Sequence, residues 1–117
     1  MSQEENDRRI DYVELTVKDT AGAKEFYGAV FGWTFQDWGP DYASFNDGRL
    51  NGGFRSDAET RPGGPLIVMY AIDLEAIEEK IKQSGGTIVK EIFEFPGGRR
   101  FQFTDPSGNE LAVWSDK

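Results

Sequence analysis

Residues 11–32 read DYVELTVKDTAGAKEFYGAVFG, and residues 65–86 read PLIVMYAIDLEAIEEKIKQSGG. Both stretches run in the same order: a short apolar strand, an Asp or Thr able to cap a helix, an apolar stripe at helical spacing, and a glycine stop. In the first, Val13, Leu15 and Val17 alternate with Tyr12, Glu14 and Thr16, as a half-buried strand requires. Ala23, Phe26, Val30 and Phe31 then give one buried helix face, and Gly32 can take the left-handed conformation that ends it. In the second, Asp73 caps a stripe of Leu74, Ile77 and Ile81, and Gly85-Gly86 is the stop.

Working outward, short strand-like runs follow each helix. They are Trp33–Trp38, Tyr42–Asn46 and Arg49–Arg55 in the first half, then Thr87–Phe95, Arg99–Thr104 and Glu110–Trp114 in the second. The turn signals between them are Gly39-Pro40-Asp41, Asp47-Gly48, Pro96-Gly97-Gly98 and Asp105-Pro106-Ser107-Gly108. The expected fold is therefore α+β: two β-α-β-β-β modules forming a curved, cup-like mixed sheet with helices on the outside. Residues 1–9 are expected to be a flexible arm. Residues 10–117 form a single domain, with module one at 10–55, a linker at 56–64 and module two at 65–115. Each helix covers one sheet face, so the opposite faces are left to line a cleft.

Several function classes are weakened by composition. The chain of 117 residues carries 13 basic and 21 acidic residues, for a net charge of -8. That charge repels phosphate backbones, so nucleic acid is not an expected partner. No apolar run approaches the ~20 residues of a membrane span. There is no Cys, which fits a cytoplasmic protein, and no His. Together these absences exclude the usual transition-metal donors and nucleophilic triads. The glycine pairs are not followed by a nucleotide-binding helix. Gly52-Gly53 within a strand instead suggests a bulge or a close backbone approach.

Period-two alternation assigns the cleft. Tyr12 and Glu14 lie opposite Val13 and Leu15; Glu110, Ala112 and Trp114 lie opposite Leu111 and Val113. On this reading Val68 and Tyr70 face the core, and Met69 joins Tyr12 and Tyr42 in an aromatic pocket. Gln102 and Ser44 offer hydrogen bonds inside it. Trp114 gives a flat stacking wall. Glu14 can contact a cationic ligand group, act as a base, or simply form an ion pair with Arg99 or Arg100. The candidate ligand-binding set is Tyr12, Glu14, Tyr42, Met69, Gln102, Glu110 and Trp114.

Two segments resemble a known family. VELTVKDTAGAKEFYGAVFGW at 13–33 and RRFQFTDPSGNELAVW at 99–114 are similar to the vicinal oxygen chelate superfamily, which includes glyoxalase I, bleomycin resistance proteins and extradiol dioxygenases. The resemblance implies a divalent metal held by one residue from each of four strands. Carried over, those places are Tyr12, Tyr42, Ile67 and Ala112, none of which is a usual ligand, so neither metal nor other cofactor is expected. It also implies a homodimer. The resulting expectation is a metal-independent small-molecule binder that holds an aromatic or cationic ligand. The alternatives are a glyoxalase-class lyase, isomerase or dioxygenase with an unusual site, and a non-catalytic interaction or regulatory module.

Overall fold

The computed structural model describes residues 3–8, 10–59 and 65–117. In the first module, strand β1 (Tyr12–Thr16) leads into helix α1 (Thr20–Phe31) and strands β2 (Thr34–Asp37), β3 (Tyr42–Asn46) and β4 (Asn51–Arg55). The second repeats the order with β5 (Ile67–Tyr70), α2 (Leu74–Gln83), β6 (Thr87–Phe95), β7 (Gly98–Thr104) and β8 (Glu110–Ser115). A single 3₁₀ turn, Gln3–Asn6, precedes β1 within the expected arm. Residues 1, 2 and 9 of that arm and 60–64 of the expected linker lie outside the described residues.

Local chemistry sets the helix ends. The Asp19 side chain accepts the Gly22 amide at the start of α1, and Gly32 closes it at φ 73° with its amide bonded to the Gly28 carbonyl. Asp73 likewise accepts the Ala76 amide at the start of α2. Each cap satisfies a donor that the helix cannot pair internally.

The strands form two four-stranded sheets, ordered β1-β4-β3-β2 and β5-β8-β7-β6. In each, the first and last strands of the module pair in parallel and the remaining pairs are antiparallel. The α+β, two-module architecture is the one the sequence predicts. Strand β5 is trimmed to Ile67–Tyr70 from the expected 65–72.

The core lies between the helices and one face of each sheet. Helix α1 reaches both sheets. Its Tyr27 ring stacks 5.2 Å from Phe54 of sheet one, while Phe26 and Phe31 each sit 6.2 Å from Phe103 of sheet two. Tyr27, Phe26, Phe54, Phe101 and Phe103 are all buried, and each contributes roughly 1.5–3 kcal/mol of apolar burial.

A polar clamp joins the modules beside this core. Asp105, 4% exposed, accepts from the Tyr27 hydroxyl at 2.9 Å. Its carboxylate also accepts from the backbone amides of Ser107 and Asn109. The Lys18 amide donates to Ser107 Oγ at 2.8 Å, and Asn109 Nδ2 donates to the Thr16 carbonyl at 2.8 Å. Asp105-Pro106-Ser107-Gly108 is thus a structural turn, with Gly108 at φ 95° as its sequence suggests.

The helix-free faces follow from strand register. On sheet one, Tyr12, Glu14, Tyr42, Ser44, Gly53 and Arg55 share the face turned away from the core. On sheet two, core-facing Phe101 and Leu111 fix Arg100, Gln102, Glu110, Ala112 and Trp114 on the other face.

Strand β5 is a correction. Met69 pairs with Val113 and packs against the core, as Ile67 does beside Leu111. Val68 and Tyr70, expected inside, point out and are 44% and 49% exposed. The physical reason lies in the run Leu66-Ile67-Val68-Met69-Tyr70. It is apolar on both faces, so alternation carries no direction there.

Candidate functional site

The helix-free faces meet in a cleft of about 880 Å³ along the seam between β1 and the β5–β8 pair. That size suits a small organic ligand. Tyr12, Glu14 and Thr16 line it from sheet one, and Gln102 and Glu110 from sheet two, with Ile10 and Leu66 at its apolar side.

Tyr12, Glu14 and Tyr42 are brought together as the sequence predicts. Tyr42 donates to Glu14 Oε2 at 3.0 Å, and the Tyr12 and Tyr42 hydroxyls are 2.5 Å apart. With its own proton given to Glu14, Tyr42 accepts from Tyr12. The other Glu14 oxygen lies 3.7 Å from Arg55, which also holds Asp57 at 2.8 Å. The alternative of an ion pair between Glu14 and Arg99 or Arg100 does not form: Arg99 binds Glu75 instead, at 2.6 Å.

Gly53 makes the phenol pair possible. A Cβ there would lie 2.0 Å from the Tyr42 hydroxyl and 2.5 Å from that of Tyr12. The register of β4 is unbroken on both sides, so the Gly52-Gly53 signal is close approach and not a bulge. Trp38, 65% exposed, adds a rim ring whose indole N–H donates to Ser44 at 3.0 Å.

On sheet two, Gln102 donates to Glu110 at 2.6 Å and accepts from Arg100 at 3.1 Å. Trp114 stands 5.2 Å from Tyr70 and 6.2 Å from Phe95. Tyr42 and Trp114 share the helix-free faces but lie outside the lining of the seam cleft. Met69 is on the opposite side of its sheet. Tyr70, Phe95, Arg100, Trp38 and Arg55 are functional candidates that sequence reasoning missed. Alternation from Phe101 on β7 could have found Arg100, but nothing local marks Arg55 as the partner of Glu14.

The chemistry of these groups is that of fixed donors and rings. Burial, then the hydrogen bonds to Tyr12 and Glu14, raises the Tyr42 phenol above its ordinary pKa of 10.0, so it remains a donor. Burial, then the Asp105 carboxylate, also raises Tyr27 well above its ordinary value. A phenol whose folded pKa exceeds its unfolded one contributes stability below the unfolded value, ~10, and loses it as pH climbs through the folded one. Stability should therefore fall as pH rises above ~10. Phenolate absorbance should also develop at higher pH in the folded protein than in the urea-unfolded chain. Coincident folded and unfolded titration curves would contradict this.

A sequence profile described as the glyoxalase/bleomycin resistance protein/dioxygenase superfamily matches residues 9–113. The chain belongs to this superfamily. Among curated relatives, the anthracycline biosynthesis protein DauV of Streptomyces sp. (strain C5) is 30% identical over 124 residues, covering 88% of this chain and 45% of DauV. CFP32 of Mycobacterium tuberculosis, provisionally named a glyoxylase, is 28% identical, covering 89% of this chain and 44% of CFP32. The chain thus spans less than half the length of these curated relatives. A superfamily structure from Burkholderia phytofirmans PsJN superposes with a TM-score of 0.80 at 18% identity, covering 92% of this chain and all of that one.

The superfamily implies a metal, and the residues here do not fit one. At the four carried-over places, the Tyr12 and Tyr42 hydroxyls bond to each other, Ala112 offers no donor, and Ile67 packs against the core. Val68, the β5 residue facing the cleft side beside Ala112, is aliphatic too. Among the described residues, no three Asp or Glu side chains gather into a cation site.

Proposed function

We propose that this protein is a small-molecule-binding member of the superfamily that holds an aromatic ligand in its cup without a metal. One observation carries the reading. The two cup carboxylates are already held by protein donors, Glu14 by Tyr42 and Arg55 and Glu110 by Gln102, while the rings of Trp38 and Tyr70 are exposed and that of Trp114 is half-buried. Rings at strand spacing give flat, low-entropy contact area. With Glu14 paired to Arg55, the cationic-ligand expectation loses part of its support, and the aromatic one remains.

The test is a thermal-shift screen of aromatic compounds on metal-free protein, repeated after dialysis against Zn²⁺, Ni²⁺ and Mn²⁺. A stabilising aromatic hit whose shift does not depend on metal is the expected result, and Trp114→Ala should cost that hit about 1 kcal/mol or more. One tightly bound equivalent of metal, with aromatic binding only in its presence, would overturn the reading in favour of a metalloenzyme.

A further inference from the structure

Charge pairing on this protein is uneven in an informative way. The chain has more acidic than basic residues, 21 against 13. Of the four bases on the strands, Arg55 binds Asp57 at 2.8 Å and Arg99 binds Glu75 at 2.6 Å. Lys90 and Arg100 do not. Both lie against one ring, Phe93, with Lys90 Nζ 4.4 Å and the Arg100 guanidinium carbon 5.3 Å from its centroid. Among the described residues, neither has a carboxylate oxygen within ion-pair distance. Arg100 gives one terminal N–H to the neutral Gln102 amide, and its Nε is shielded with no partner at all.

Two like charges on one ring, with Arg100 half-buried and neither base holding a counter-charge, are unfavourable in the free protein. Cation–π contact offsets only part of that cost. A bound anion would offset the rest.

The register around Arg100 gives that anion a shape. Phe93 pairs with Arg100, Arg100 with Trp114, and Trp114 with Tyr70, so one cross-strand row spans all four strands of sheet two. At the usual strand spacing this row is roughly 14 Å long. It reads ring, guanidinium, ring, ring, with Phe95 beside Trp114 at 6.2 Å. Such a row matches a flat, multi-ring molecule carrying a negative group over the Arg100 position.

We propose that the helix-free face of sheet two is a binding site for a planar aromatic anion, with Arg100 and Lys90 holding its acidic group and Trp114 and Tyr70 its rings. This rests on the cup-binding reading above and fixes the charge of the ligand, a carboxylate or an ionised phenol on a fused-ring frame. It also gives the protein's acidity no part in recognition. The selective charges are Arg100 and Lys90, which flank the Phe93 ring.

Calorimetry with three probes of one shape tests it: 2-naphthoate, 2-naphthamide and 2-naphthylmethylammonium. 2-Naphthoate should bind at least about tenfold tighter than the other two at low salt. Arg100→Gln and Lys90→Gln should each weaken 2-naphthoate by about fivefold or more and change 2-naphthamide by less than about twofold. Unchanged melting curves would show that these variants fold. Trp114→Ala should weaken all three probes. If the amide or the ammonium binds as well as the carboxylate, or if the preference survives the double variant, the anion site is wrong while the cup-binding reading stands. If none of the three binds, both fall.

Discussion

Gly52→Ala should destabilise the protein by about 3 kcal/mol, although alanine is intrinsically the better strand residue by roughly 0.5–1 kcal/mol. The added Cβ would sit 2.2 Å from Phe45 Cζ and 2.4 Å from the Val13 carbonyl oxygen. The second contact is backbone, and Val13 pairs with Gly52 across β1 and β4, so relief means opening that ladder. The first is a ring held on both sides, 4.5 Å from Trp33 and 4.9 Å from Phe54. Moving it disturbs the module-one core as a whole. Gly53→Ala is the informative control. Its clash is with the free ends of two phenols, which can swing away. That variant should lose the Tyr12–Tyr42–Glu14 chain and less than about 1.5 kcal/mol of stability. Urea denaturation midpoints at constant slope decide the matter. A Gly52→Ala loss below about 1 kcal/mol would show that the sheet accommodates the methyl group.

Asp105→Ala should cost about 3–5 kcal/mol, the largest effect of any single polar change in this molecule. The carboxylate is 4% exposed and takes four hydrogen bonds, from Tyr27 Oη, the Ser107 and Asn109 amides, and Asn109 Nδ2. Alanine leaves the Tyr27 hydroxyl and the Ser107 and Asn109 amides without that acceptor, while Asn109 Nδ2 keeps the Thr16 carbonyl, and water has little access to replace the carboxylate. Tyr27→Phe should be milder, about 1.5–2 kcal/mol, because the carboxylate then keeps its other donors. Equilibrium denaturation followed by far-ultraviolet circular dichroism measures both. Equal losses for the two variants would mean that the phenol, and not the turn, is what the carboxylate serves.

How far the sequence carried the structure can be traced to particular residues. Both helices were legible because their signals are local: Asp19 and Asp73 cap, Gly32 and Gly85 stop, and the apolar stripes have one period. The floor of sheet one was legible because Tyr12 and Glu14 alternate cleanly with Val13 and Leu15. The facing of β5 was not, since an unbroken apolar run looks the same in either register. The register shifts of β6 between Ile88 and Phe93 left no glycine or proline to mark them, and they are what bring Lys90 and Phe93 to the face of Arg100. The partner of Glu14 was out of reach for a different reason. Arg55 meets it only because β1 and β4 pair in parallel across the whole of module one, a contact no local pattern encodes.

The clamp between modules bears on the order in which this chain folds. Its bonds join residues 78, 89 and 93 positions apart, from Tyr27 to Asp105, Lys18 to Ser107, and Thr16 to Asn109. Within module one, by contrast, the pairing of β2 with β3 and of β3 with β4 joins near neighbours in the chain. Loop closure disfavours distant contacts until nearer ones have shortened the effective separation. The expected order is that each module condenses first and the clamp latches once both exist. In a chevron plot, the loss caused by Asp105→Ala then falls on the unfolding arm, with the refolding arm close to that of the parent. What keeps the two halves together acts as a brake on coming apart, with no part in finding the fold.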